Sequence, residues 1–154
     1  MIKADVLTTN KNWKKYIRAP NIYINRRLRK IEDKNNIFKK NNFDFTLLLS
    51  GDIEVKKLNN KFRKKNKTTD ILSFPFHEKK VLKKKLKKNN NKIYLGDIII
   101  NLNKIKKNGI DDFLSSFDKI WIHGLVHLLG YRHKSNLEFS IMQKIETKMF
   151  QSIK

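Results

Sequence analysis

Apolar and polar residues alternate along this chain with a period that changes from block to block. Ile2 to Leu7 reads as a first strand. Thr8-Thr9-Asn10 is placed to cap a helix with Trp13, Tyr16 and Ile17 on one side, and Pro20 interrupts it. Ile24, Leu28 and Ile31 continue at helical spacing to about Asn35. Phe45-Thr46-Leu47-Leu48-Leu49 is a short apolar run closed by Gly51, so it is a buried strand rather than a helix. Asp52 can cap the next helix, which is expected to turn Ile53, Leu58 and Phe62 inward and Lys56, Lys57 and Lys61 to water.

The basic stretch Arg63 to Asp70 reads as a loop. Ile71 to Phe76 then reads as a strand that Pro75 marks as an edge or an end. Residues 77–92 are rich in lysine and asparagine and read either as a flexible hairpin or as a short helix. Ile93–Leu95 and Ile98–Ile100 flank Gly96-Asp97 as a central strand with a polar break. Leu102 and Ile105 suggest a short helix. A long helix capped by Asp111 or Asp112 follows, apolar in nearly every direction from Phe113 to Leu129, and such a helix belongs in the interior. Ser135-Asn136-Leu137-Glu138 has capping-box spacing, ahead of a last helix with Leu137, Ile141, Ile145 and Met149 on one stripe. This order of elements predicts one α/β (α+β) domain over residues 1–154, a small mixed sheet with helices packed against it.

Composition narrows the chemistry. The chain of 154 residues has no cysteine, which excludes disulfides and thiolate ligands, so a metal must be held by histidine or carboxylate. No segment approaches a membrane span, and the first residues lack a signal-peptide pattern, so a cytoplasmic protein is expected. The formal net charge is +22. Lysine, asparagine and isoleucine are abundant together, as AT-rich codons produce, and that bias accounts for most of the excess. The charge is physically present all the same and favours a phosphate-rich partner.

Three of the four histidines fall within residues 120–133. His123 and His127 are four apart and share one helical face. Gly130 can end that helix in the left-handed conformation, which could return His133 beneath them. Three imidazoles with an open fourth position make a site that catalytic zinc uses. The spacing His-x-x-x-His-x-x-Gly-x-x-His is that of the extended zinc-protease motif, but glutamate, the base of those proteases, is replaced by Gly124. Other residues have plainer readings: Trp121 as core, His77 as surface, Asp97 as a structural carboxylate.

The stretch His123 to His133 resembles the signature of the YbeY family of rRNA-maturation endoribonucleases. Further blocks carry the resemblance: Leu58-Asn59 with Phe62-Arg63, Lys67 to Phe76, Leu95-Gly96-Asp97-Ile98, and Met142 with Glu146. They fall in the family order from about residue 46 to 146, while the first 45 residues match only in outline. The resemblance implies a zincin-like fold with a central metal-binding helix. It implies one Zn²⁺ on His123, His127 and His133, and cleavage of single-stranded RNA in small-subunit (16S) rRNA maturation and ribosome quality control. It also implies that Arg63 lies in the active-site cleft, which makes Arg63 a catalytic candidate beside the three histidines. The expected partners are rRNA and the small ribosomal subunit with its proteins, not DNA or membrane. One position departs: the family usually has aspartate before the third histidine, and here it is Arg132. The competing readings are a non-catalytic ribosome-associated assembly factor with a structural zinc, and another metal hydrolase or protease.

Overall fold

The computed structural model describes residues 1–154. Four strands form a mixed sheet in the order β1-β2-β4-β3, where β1 is Ile2–Thr8, β2 is Asn42–Ser50, β3 is Ile71–Pro75 and β4 is Lys92–Asn101. β1, β2 and β4 run parallel, and β3 lies antiparallel to β4 on the edge. Five helices accompany it: α1 Pro20–Lys34, α2 Asp52–Arg63, α3 Lys79–Leu86, α4 Ile110–Leu128 and α5 Asn136–Ile153. The expected mixed sheet with packed helices is present. No helix is long and apolar enough to cross a membrane.

Alternation divides the sheet into two faces. Phe43, Phe45, Leu47 and Leu49 of β2 point into the main core, which α1, α4 and α5 complete with Leu28, Trp121, Leu125 and Met149 among others. The other face carries a small cluster, Val55, Leu72 and Ile99, beneath α2 alone. β4 serves both faces through a bulge. Its pairing with β2 skips a residue between Asp44↔Tyr94 and Thr46↔Asp97, which reverses the side-chain parity. Leu95 and Ile98 therefore both reach the main core. Gly96 makes this possible. Its φ is +131°, and a Cβ there would sit 2.1 Å from the Phe74 carbonyl oxygen. The polar break expected at Gly96-Asp97 is thus a bulge inside one continuous strand.

Several local expectations are corrected. Asn10 caps a 3₁₀ turn over Lys11–Lys15 rather than an α-helix, with its side chain accepting from the Asn12 amide. Pro20 starts α1 at a position where its missing N–H costs nothing. Gly51, not Asp52, stands at the cap of α2, and Gly109 rather than Asp111 or Asp112 caps α4. On α2 the buried residues are Val55 and Asn59, while Ile53 is 88% and Phe62 59% exposed. Leu58, as expected, is turned inward and packs half-buried against the small cluster beneath α2. Asn59 is buried because its amide donates to the Lys67 carbonyl at 2.8 Å. The stripe on α5 is Met142, Ile145 and Met149, with Leu137 and Ile141 in solvent. Of the two readings for 77–92, the short helix is the one formed, and Leu82 anchors α3 in the main core.

The basic loop after α2 is tied down. The Asn101 amide donates to Asp52 at 2.7 Å, to the Thr68 hydroxyl at 2.9 Å and to the Thr69 carbonyl at 3.1 Å. Thr68 also donates to Asp52 at 3.0 Å. The hydrogen bond from Asn101, with that of Thr68, holds the Asp52 carboxyl below its ordinary pKa against the opposing effect of burial. The residues that follow, Thr69, Asp70 and Ile71, line the cleft that holds the histidines.

Candidate metal centre and its cleft

α4 presents His123 and His127 side by side because they are four residues apart. Gly124 lets that helix lie close on the sheet. A Cβ at this position would meet Ile71 Cδ1 at 2.8 Å and Ile98 Cδ1 at 3.1 Å. The position that holds a glutamate base in zinc proteases therefore points into the sheet here, away from the histidines. The absence of a base at 124 has a packing cause as well as a chemical consequence.

The helix ends as Gly130 suggested. Gly130 has φ +93°, its N–H donates to the His127 carbonyl at 2.9 Å, and the Tyr131 N–H donates to the Val126 carbonyl at 3.3 Å. This paired closure is a Schellman motif. It turns the Tyr131 carbonyl onto His127 Nδ1 at 2.9 Å and returns His133 to the site. The ring centroids of His133 lie 5.7 Å from His123 and 5.0 Å from His127.

The hydrogen bonds dictate tautomers. A carbonyl only accepts, so His127 Nδ1 carries a proton and, in the neutral ring, Nε2 is a bare acceptor. His123 Nδ1 faces a Glu146 carboxylate oxygen at 2.7 Å, so it too carries a proton. Glu146 reaches the site from α5. Its place in the chain gave no hint of a role beyond the resemblance of its block. The two Nε2 atoms then face each other at 3.1 Å. Two lone pairs at that distance repel unless a proton or a cation lies between them. Burial lowers the His127 pKa and the neighbouring His123 and His133 lower it further, opposed by the Tyr131 carbonyl, so a second proton on the His127 ring is disfavoured.

A metal fits. The donor atoms of His123, His127 and His133 all lie within 4.8 Å of one another. Metal–nitrogen bonds of about 2.0–2.1 Å at a tetrahedral angle separate two ligand nitrogens by about 3.3 Å, close to the separation of the two Nε2 atoms. The set is three neutral nitrogens, with a carboxylate and a carbonyl orienting two of them from behind, as metal-bound histidines require.

These histidines floor a cleft of about 450 Å³ walled by β3, the start of α3 and residues 130–133. Arg63 lines it, as expected, from the end of α2. Its Nη2 donates to the Ser73 carbonyl at 3.0 Å, and its guanidinium lies 5.5 Å from the Phe74 ring centroid. His77, expected on the surface, lines the cleft as well, and burial followed by the charge of Lys85 lowers its pKa. Arg132 is exposed at the rim and makes no ion pair or side-chain hydrogen bond. Asp97 accepts from Tyr94 at 2.6 Å on the opposite face of the sheet, so it is hydrogen-bonded and remote from the histidines, but it is exposed rather than the buried structural carboxylate expected.

Comparison with known proteins gives a consistent result. The family model described as Endoribonuclease YbeY matches residues 7–154. A Pelagibacter ubique protein named Endoribonuclease YbeY is 41% identical over 157 aligned positions, covering 100% of this chain and 97% of the relative. A Buchnera aphidicola protein of the same name, from the subspecies of Schizaphis graminum, is 35% identical over 94% of this chain and 86% of its own length. Among solved structures, a Thermotoga maritima protein determined in solution superimposes with a TM-score of 0.61 at 24% identity, over 99% of this chain and 89% of the other, and shares the fold. The resemblance first carried by His123 to His133 thus extends over nearly the whole chain, which belongs to the endoribonuclease YbeY family.

Proposed function

We propose that this protein is a zinc-dependent endoribonuclease that cleaves single-stranded RNA. In this reading residues 1–154 form one such domain, which works in the cytoplasm on small-subunit (16S) rRNA maturation and ribosome quality control. Its partners are rRNA and the small ribosomal subunit with its proteins. The observation that carries the reading is the opposed pair of Nε2 atoms at 3.1 Å, each on a ring whose other nitrogen is already engaged. Family membership supports RNA as the substrate class, and the net charge of +22 suits a polyanion.

His123, His127 and His133 are the proposed ligands, and with Arg63 they are the proposed catalytic set. Zinc suits three imidazoles without sulfur or oxygen ligands, and when bound it supplies a Lewis acid for the charge that builds on the scissile phosphate. Glu146 and the Tyr131 carbonyl hold two imidazoles in the donating tautomer. Arg63 spends one N–H on the Ser73 carbonyl, so the rest of its planar fork is held ready for a phosphate oxygen. The test measures zinc by elemental analysis and cleavage of a single-stranded RNA on the same sample, for the native protein and for His127→Ala shown to be folded. Stoichiometric zinc and cleavage in the native protein, both lost in the variant, are expected. Native protein that holds zinc and binds ribosomes but does not cut RNA would overturn the proposal in favour of an assembly factor.

A further inference from the structure

Two large aromatic side chains at the β3 edge, on the sheet face opposite the histidines, are left in solvent. Phe62, in the last turn of α2, is 59% exposed, and Phe76, just past β3, is 66% exposed. Each immediately precedes a residue that lines the histidine cleft, Arg63 and His77. Phe62 meets Phe74 edge-on with centroids 5.5 Å apart. Phe76 meets Tyr94 at 5.5 Å and the His77 ring at 4.9 Å. The main core is filled by other residues, and neither exposed ring belongs to it. Behind Phe62 and Phe74 the open sheet face forms a largely apolar groove of about 400 Å³ that includes Leu7, Leu48 and Leu58, with Asp97 its one charged residue, bonded to the Tyr94 hydroxyl.

We infer that the rings along the β3 edge are a stacking platform for unpaired bases of the RNA strand held in the cleft, an inference that rests on the RNA-cleaving reading above. Two observations commit the surface to RNA rather than to an apolar protein face. The first is continuity with the cleft. β3 is an edge strand, so no further strand separates its two faces, and Arg63 lines the cleft while lying over Phe74. The second is charge. Phe62 is followed by Arg63, Lys64, Lys65, Asn66 and Lys67, all exposed and none acidic, and the Lys61 ammonium lies 5.3 Å from the Phe62 ring. Phosphates along the basic loop and bases over the rings is the arrangement by which sequence-tolerant single-strand binders work. Bases within a duplex already stack on each other and show no free face to a phenyl ring. The platform therefore selects for single strands without reading sequence.

The test uses the zinc-loaded full chain and two labelled probes followed by fluorescence anisotropy: a short 2′-O-methyl oligouridylate, checked for integrity on a gel, and an abasic oligomer of equal length. The native protein should bind the base-bearing strand more tightly. Phe62→Ala and Phe76→Ala should each weaken that binding roughly 5- to 100-fold, with little change for the abasic strand. Zinc content and melting temperature show whether each variant is intact. Phe→Leu at both sites keeps apolar bulk without a ring, and Phe→Tyr keeps the ring, so this pair decides the matter even if the alanine variants fold poorly. Tyrosine should preserve affinity and leucine should lose it. Equal affinity of the native protein for both probes, or full affinity in the leucine variant, overturns the inference and leaves the groove to an apolar protein partner. Failure of the RNA-cleaving reading is distinct, since it shows as absence of cleavage by the native protein whatever these rings do.

Discussion

Glu146→Ala removes the only carboxylate that touches a ring of the histidine cluster, from a position 23 residues along the chain on a different helix. The pair is less than one third exposed on either side, at 32% for His123 and 27% for Glu146, so it is only partly screened. Without the carboxylate, His123 Nδ1 can give up its proton and Nε2 can take it, which blocks the donor atom. Losses of this kind cost about 10- to 100-fold in metal affinity, or about 1.4–2.7 kcal/mol. The metal-free fold should lose far less, about 1 kcal/mol or below, because one partly exposed hydrogen bond is removed. Glu146→Gln should fall between native and Ala, since an amide oxygen still accepts from Nδ1 but carries no charge. The assay is zinc competition against a chelator of known affinity at fixed pH, with melting temperatures of the metal-free and zinc-loaded forms. The gap between those two melting temperatures should shrink in Glu146→Ala. A zinc affinity within about twofold of native would refute the reasoning, because it would mean that the His123 tautomer is set by something other than Glu146.

Gly124→Ala should lower stability by about 1–2 kcal/mol, the cost of forcing the Ile71 and Ile98 side-chain ends aside less the gain of about 0.5–1 kcal/mol for alanine over glycine within a helix; chemical denaturation of the metal-free protein checks it, and an unchanged or raised midpoint would mean that the layer yields to the methyl freely. Glu54 has its pKa lowered, first by the hydrogen bond from Ser50 and then by that from Thr9. Its charged form is therefore the folded-state preference, so its contribution is present above the ordinary glutamate pKa and is lost as pH falls through the lowered value. Ser50→Ala with Thr9→Val should flatten the acid limb of stability against pH, and an acid limb identical to the native one would exclude this role.

Much of the metal centre could be read from the chain because its geometry is local. His123 and His127 need only a helix, and His133 needs only the glycine turn that follows. Glu146 was not legible as their partner, since its approach depends on how α5 packs against α4, which no spacing encodes. His77 was misplaced for the same reason: the start of α3 comes to lie beside Gly130 across the cleft, and a polar residue at a strand end acquires a cleft to line. α2 shows a different failure. Apolar periodicity pointed to Ile53, Leu58 and Phe62; Leu58 does pack against the sheet, but Ile53 and Phe62 are exposed, and the buried positions are Val55 and Asn59, whose amide answers a loop carbonyl. At Gly96 the central strand was legible, but its polar break is a bulge that changes parity, and only the pairing with β2 reveals that.

The Schellman turn has a consequence for local motion. It supplies the carbonyl that orients His127, and the same few residues bring His133 into place. Helix ends are ordinarily the first parts of a helix to fray, on free energies far below global unfolding. Here fraying of the last turn of α4 and disassembly of the donor set are one event. A cation bound by the three histidines would oppose that event, acting as a staple across the helix terminus. The amides of Gly130 and Tyr131, which close the motif, are then the places where hydrogen exchange would register occupancy of the site.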